Sequence, residues 1–175
     1  MNLADIKNIA VLGTGMMGPG IALLFARAGY KTTIWGRNEE KNLKGKSNFT
    51  HNINDLLEQG IISREEAEHC RINTTVTSDW DAATRETDFV VEAVLEILEL
   101  KQDIFVRLEQ SCPKTAILTS TTSTLMPTDI SAKMQDKSRM LVAHFWNPAH
   151  LAPLVEVCGH SNTNPKAIDA TMQLL

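Results

Sequence analysis

The sequence predicts an α/β chain built on a doubly wound, mostly parallel sheet, and three observations carry that prediction. Apolar, β-rich runs of strand length alternate with amphipathic stretches of helical length along the 175 residues. The first of these runs breaks at once into a glycine-rich turn that opens a helix. No internal repeat and no low-complexity linker interrupts the alternation, so one domain spans residues 1–175.

The elements follow in order. Residues 6–12 read as the first strand and 18–28 as the first helix, which Gly29 ends. Residues 31–35 are β-rich and form the second strand. A long polar helical region covers about 38–70, with Ile53, Leu56 and Leu57 on one face and a break at Gly60. Ser63-Arg-Glu-Glu66 has the form of a capping box and starts another helix there. This is a helical insertion after the second strand, expected as a pair standing off the sheet. Residues 72–76 and 88–92 read as the third and fourth strands. Ile97, Leu100, Ile104 and Leu108 recur at helical spacing, which predicts a helix over 96–110 with that stripe on the sheet. Residues 115–119, 140–144 and 154–157 complete the strands, and Pro127 opens a short helix. Asn164 and Pro165 suit the start of a last helix. The sequence stops on two leucines without a stop signal and reads as a fragment cut within or just after that helix. The alternative is a natural C-terminal helix docked on the sheet.

Composition narrows the function. The formal net charge is -4 with no long basic block, which argues against a nucleic-acid partner. No apolar stretch is long enough to span a bilayer, so no membrane partner is expected, and residues 1–5 lack the basic region of a secretory signal. Cys70, Cys112 and Cys158 are odd in number and far apart. They offer no metal-ligand spacing and no disulfide framework, so no metal is expected. A reducing, cytoplasmic compartment and a role as buried or half-buried structural thiols fit them.

The turn Gly13-Thr-Gly15-Met16-Met17-Gly18-Pro-Gly20 has the layout of a dinucleotide-binding first β-α unit, which makes the expected fold Rossmann-type. Gly13 permits the tight turn, Gly15 lets a pyrophosphate approach the backbone, and Gly18 lets the helix lie close to the sheet. The helix N-terminus then offers unpaired N–H groups to phosphate. The competing reading is a structural turn that binds nothing.

Such sites usually carry an acid at the end of the second strand, about 20 residues on, to accept from the adenosine ribose hydroxyls. Here Gly36 holds that place and Arg37 follows. A carboxylate would repel a 2′-phosphate, whereas glycine beside a guanidinium accommodates one. The cofactor is therefore NAD or NADP, with a lean toward NADP, and Lys41 and Lys44 add positive field. Arg37 stacked on adenine, or merely solvated, is the alternative.

The second half carries polar clusters beyond strand ends: Val90-Val-Glu92-Ala-Val-Leu-Glu96, Ser120-Thr-Thr-Ser123-Thr, His144-Phe-Trp-Asn147-Pro148 and Leu154-Val-Glu156-Val. Ligands of open α/β sheets sit beyond the carboxyl ends of the strands, so these clusters can converge on one crevice. A histidine there suits proton removal from an alcohol, because its pKa lies near neutrality. Each residue also has a plainer reading. His144 can be a satisfied structural residue, Glu156 a surface carboxylate, Ser123 a cap for the helix near Pro127, and Asn147 a turn residue before Pro148.

Taken in order, these motifs resemble the NAD-binding domain of the 3-hydroxyacyl-CoA dehydrogenase family, and the resemblance spans essentially the whole chain. Asp88-Phe-Val-Val-Glu92-Ala-Val-Leu-Glu96 is similar to its fourth-strand motif, Thr119-Ser120-Thr-Thr-Ser123 to its serine motif, and His144-Phe-Trp-Asn147-Pro148 with Pro153-Leu-Val-Glu156-Val to its histidine and glutamate motif. The resemblance implies interconversion of L-3-hydroxyacyl-CoA and 3-ketoacyl-CoA, in fatty acid metabolism, with catalytic residues at His144, Glu156, Ser123 and Asn147. His144 is then the acid/base, oriented by Glu156. Ser123 donates to the substrate oxygen, and Asn147 holds nicotinamide or substrate. Gly13, Gly15, Met16, Met17, Gly18, Gly36, Arg37, Glu92 and Ser120 fall at the cofactor. Related enzymes oxidise carnitine, gulonate or hydroxybutyryl-CoA.

The sequence departs from the family at Gly36, at Thr121 where asparagine is common, and in lacking the family's second, helical domain. That domain contributes to a homodimer and closes over the acyl-CoA, so turnover by this chain alone is expected to be severely impaired. The loop Pro148-Ala-His150-Leu-Ala-Pro153 leans toward a small polar alcohol or an unusual acyl group, with His150 near substrate or simply solvated. A non-catalytic dinucleotide-binding module is the reading from a different class.

Overall fold

The structure, a computed structural model, describes residues 3–152 and 154–175. Met1 and Asn2, which open the N-terminal stretch, and Pro153 of the glutamate motif lie outside the described residues. Seven strands form one sheet: β1 (Asn8–Leu12), β2 (Lys31–Trp35), β3 (Thr74–Thr77), β4 (Phe89–Glu92), β5 (Ile117–Ser120), β6 (Met140–Phe145) and β7 (Val155–Cys158). Their order is β3-β2-β1-β4-β5-β6-β7. The first six are parallel and β7 closes one edge antiparallel to β6. This is the doubly wound Rossmann-type arrangement expected. Chain direction across the sheet reverses between β1 and β4, so their carboxyl ends flank the crevice where such sheets bind ligands.

Strand side chains alternate between two apolar layers. Ile9, Val11, Phe89 and Val91 face the layer formed with α1 (Gly18–Arg27), α2 (Glu39–Glu58), α3 (Arg64–Ile72) and α7 (Pro165–Leu174). Ala10, Leu12, Val90 and Leu118 face the opposite layer, built with α4 (Trp80–Thr84), α5 (Leu98–Ser111) and α6 (Pro127–Ile130). Parallel strands covered on both faces need mostly apolar residues, as the buried Phe89, Val90 and Val91 of β4 illustrate, with Glu92 buried at its end.

Several local expectations need correction. The helical pair does not stand free: Phe49, Ile53 and Leu56 of α2 and Ala67 and Cys70 of α3 join the same apolar cluster as α1. Its capping box is present, with Ser63 N donating to Glu66 Oε2 at 2.7 Å and Glu66 N donating to Ser63 Oγ at 3.1 Å. Ile72 is the last residue of α3 and is exposed, so β3 starts two residues later than expected. The stripe on α5 holds only in its second half. Leu108 is buried and Ile104 packs partly buried against the same layer, while Ile97 and Leu100 are exposed and Lys101, Phe105 and Glu109 are buried instead. Cys70 and Cys112 are buried, but Cys158 is exposed.

Candidate active site

The glycine turn is shaped by its own backbone. Gly13 takes φ +135, and a Cβ there would collide with the Ala93 carbonyl at the exit of β4. A Cβ at Gly18 would strike the Gly13 carbonyl, so the turn itself, more than the sheet, demands that glycine. Gly15 is different: nothing lies within 4 Å of its missing side chain. Met16 is exposed and Met17 half-buried at the N-cap of α1, which has no side-chain cap. The first N–H groups of α1 are thus left for another acceptor. An open face over Gly15 beside uncapped helix N–H groups fits a pyrophosphate.

At the end of β2, Gly36 is buried and Arg37 exposed. Lys41, expected to add positive field, is paired with Glu40 at 3.2 Å.

Beyond β4 and β5 lies a buried charged knot. Lys101 Nζ donates to Glu92 Oε1 at 2.7 Å and Oε2 at 2.9 Å, and it lies 3.2 Å from Glu96 Oε2. Ser120 Oγ donates to Glu92 Oε2 at 2.6 Å, and Val94 N donates to Glu92 Oε1 at 2.7 Å. Thr122 Oγ1 donates to Glu96 Oε1. Burial would raise the Glu96 pKa, but Thr122, the Lys101 charge and Thr124 together hold it below the usual carboxylate range. Glu92 and Ser120 were expected as cofactor contacts. Both side chains are fully buried, and their hydrogen bonds are made within this knot.

Lys101 and Glu96 are the residues that sequence reasoning left unassigned. The available signal was Lys101 at a position in phase with Phe105 and Leu108, where a lysine must find a buried carboxylate.

The catalytic candidates sit at the far end of the same edge. The antiparallel register places Glu156 opposite His144. His144 Nδ1 lies 2.8 Å from Glu156 Oε2, and Trp146 Nε1 donates to the same oxygen at 3.3 Å. The imidazole hydrogen bond, aided by the indole, holds the Glu156 carboxyl below its ordinary pKa. A carboxylate only accepts, so it fixes the proton on Nδ1 and leaves Nε2 with a free lone pair.

Ser123 is exposed in the turn after β5. Thr121 Oγ1 of that turn accepts from Phe145 N at 3.2 Å, which ties the turn to the residue following His144. Asn147 Nδ2 donates to Met16 Sδ at 3.6 Å, so the loop after β6 reaches back to the glycine turn. His144, Glu156, the Ser123 turn and Asn147 therefore share one crevice edge with Gly13–Gly18. His150 is half-buried: its Nδ1 lies 3.2 Å from where a Cβ on Gly20 would stand, and burial pushes its pKa down. Among the described residues no cluster of His, Cys, Asp or Glu could hold a metal ion, and no helix is long and apolar enough to cross a membrane.

Comparison with known proteins agrees with this geometry. The family model for the 3-hydroxyacyl-CoA dehydrogenase NAD binding domain matches residues 8–175. The chain is 34% identical over 163 residues to a peroxisomal fatty acid beta-oxidation multifunctional protein of Arabidopsis thaliana, covering 93% of this chain and 22% of that protein. It is also 34% identical over 165 residues to the L-carnitine dehydrogenase of Streptomyces griseus, covering 94% of this chain and 48% of the relative. Among solved structures, 3-hydroxybutyryl-CoA dehydrogenase from Escherichia coli superposes with a TM-score of 0.90 at 30% identity, over 97% of this chain and 35% of that one. The chain thus spans between about a fifth and a half of the length of these relatives. A fold, a glycine turn and ordered strand-end motifs that all match one model lead to one conclusion: the chain belongs to the 3-hydroxyacyl-CoA dehydrogenase family, as its NAD-binding domain.

Proposed function

We propose that this chain is the NAD(P)-binding part of an enzyme that interconverts L-3-hydroxyacyl-CoA and 3-ketoacyl-CoA, with His144 and Glu156 as its acid/base pair. The observation that carries the reading is the 2.8 Å bond between His144 and Glu156 at the mouth of the crevice. When bound, the dinucleotide supplies a hydride acceptor, or in reverse a donor. The residues do the remaining work. His144 Nε2 takes the hydroxyl proton as the carbinol hydrogen leaves as hydride, and returns it in the reverse direction. Glu156 holds the imidazole in the required tautomer and stabilises the imidazolium. Ser123 donates to the substrate oxygen and Asn147 orients nicotinamide or substrate, with Met16 holding the Asn147 amide in place. The rest of the longer protein, as a helical second domain, closes over the acyl-CoA and forms the homodimer.

The likeness to an L-carnitine dehydrogenase supports a second reading, oxidation of a small secondary alcohol at the same His144–Glu156 pair. Gly36 with Arg37 supports NADP over NAD in either case. The compartment is proposed as cytoplasmic from the unpaired cysteines, although the relatives include a peroxisomal protein.

The deciding experiment uses the full-length parent, because the chain alone is expected to turn over poorly. It mixes that protein and oxidised cofactor with 3-hydroxyacyl thioesters, carnitine and hydroxy acids in turn, and follows reduced-cofactor absorbance. Turnover of a thioester that His144→Gln abolishes is expected. Turnover of carnitine alone selects the second reading, and near wild-type turnover by His144→Gln removes the base assignment. Calorimetric titration with both cofactors tests the nucleotide preference. Equal or tighter NAD binding, unaffected by Arg37→Ala, rejects the NADP lean.

A further inference from the structure

The place of the missing acid is not vacant. A Cβ at residue 36 would meet Asn42 Oδ1 head-on, and it would stand 2.8 Å from Thr14 Cγ2. Thr14 belongs to the glycine turn, and Asn42 comes from the second turn of α2. The side-chain amide therefore lies between the end of β2 and the phosphate-binding turn. That is about where the carboxylate of an acid at 36 would sit.

The amide is also held there. One turn along α2, a Cβ at Gly45 would stand only 2.7 Å from Thr14 Cγ2 and 2.9 Å from Thr14 Cβ, so the helix presses directly on the glycine turn. Asn42 is 6% exposed, yet its Oδ1 has no hydrogen-bond partner. A buried acceptor left unpaired is costly and calls for an explanation beyond packing, because an aliphatic side chain of similar size would fill the same space at lower cost.

We propose that Asn42 replaces the ribose-binding carboxylate and reads the 2′ position of the adenosine ribose. The proposal rests on the dinucleotide reading above. A carboxylate only accepts, so it selects a 2′-hydroxyl and repels a 2′-phosphate. An amide accepts at one end and donates at the other, and rotation about its last bond exchanges the two. Asn42 thus accepts from the 2′-hydroxyl of NAD or donates to the 2′-phosphate of NADP, while Arg37 covers the outer side of the same group. Gly36 is the counterpart of this arrangement, since any side chain there would displace the amide. A direct Gly36→Asp exchange, the obvious way to impose NAD specificity, collides with both Asn42 and Thr14.

The test titrates the 175-residue chain with NADH, NADPH and 2′-deoxy-NADH by nicotinamide fluorescence, for wild type, Asn42→Asp and Asn42→Leu. The unfolding temperature of each is recorded without cofactor. Asn42→Asp is expected to shift the NADPH-to-NADH preference by about tenfold against NADPH, the size of one lost charge-assisted contact. Asn42→Leu is expected to weaken NADH and NADPH by about fivefold and to leave the 2′-deoxy analogue unaffected. Its unfolding temperature holds or rises, because the orphaned acceptor is gone. That opposition of stability and affinity is not what a packing residue shows. If Asn42→Asp fails to fold, Asn42→Leu decides alone. Variants that match wild type in affinity and preference, while wild type binds, overturn the role of Asn42. A wild-type chain that binds neither cofactor overturns the dinucleotide reading and this proposal with it.

Discussion

Two carboxylates at the same sheet edge each hold a nitrogen base at nearly the same distance, and they have opposite capacities. Glu92 and Lys101 lie 2.7 Å apart with side chains 0% and 1% exposed. His144 and Glu156 lie 2.8 Å apart with side chains 25% and 60% exposed. In the first pair neither partner can change charge without stranding the other in a medium that solvates it poorly. Ser120 and Val94 N–H occupy further lone pairs of Glu92, so the knot is saturated. In the second pair water shares the charge, so either partner can change charge without stranding the other. Burial, not bond length, therefore separates a fixed support from a group able to pass a proton on every cycle.

The comparison is broken most severely at the buried pair. Lys101→Met leaves Glu92 uncompensated and is expected to cost about 3–5 kcal/mol of folding stability, measured by denaturant titration. Adding Glu92→Leu should recover much of that loss. A single variant as stable as wild type would mean that the knot is not what holds the ends of β4 and β5 together. His144→Gln is the converse. Turnover of the substrate identified above should fall by about a hundredfold or more, roughly 3 kcal/mol in the barrier, with little change in unfolding temperature and unchanged cofactor affinity. A smaller cut at the buried pair is Ser120→Ala. It removes a 2.6 Å hydrogen bond to an ionised, buried acceptor and should cost about 2 kcal/mol without abolishing cofactor binding. Loss of binding at unchanged stability would return Ser120 to the cofactor.

The same contrast explains what could be read from residues alone. The glycine turn was legible because much of its demand is local: Gly13 takes φ +135, and Gly18 answers to the Gly13 carbonyl within six residues. His144 and Glu156 were recognisable through family motifs. Their register was not, because β7 runs antiparallel and pairing across an edge leaves no local signature. Lys101 was hidden because a buried lysine breaks the apolar pattern that marks a buried face. The stripe Ile97, Leu100, Ile104 and Leu108 looked better, yet its first two members proved exposed and only Leu108 fully buried. Short α4 offered little beyond the Asp79 cap, whose side chain accepts from Ala82 N at 3.1 Å. Nothing in the sequence sets Asn42 apart from the other polar residues of α2, since only the fold brings it against Gly36.

The exposed pair should show its character through pH. Hydrogen bonds from His144 and Trp146 hold the Glu156 carboxyl below its ordinary value of 4.5. A depressed carboxyl pKa contributes stability that is present above the unfolded value and is lost as pH falls through the folded one. The unfolding temperature of wild type should therefore exceed that of Glu156→Gln by a small, constant margin at neutral pH. The margin should close as pH drops below about 4.5. Because the pair is solvent-shared, it remains the smallest stability effect of the set. Its catalytic effect is separate. Glu156→Gln removes the negative charge that stabilises the imidazolium formed as the base takes the hydroxyl proton, so turnover should fall by about tenfold or more with cofactor affinity unchanged. Unchanged turnover in Glu156→Gln would mean that this carboxylate is not coupled to the base. The exposed pair would then differ from the buried one only in its solvation.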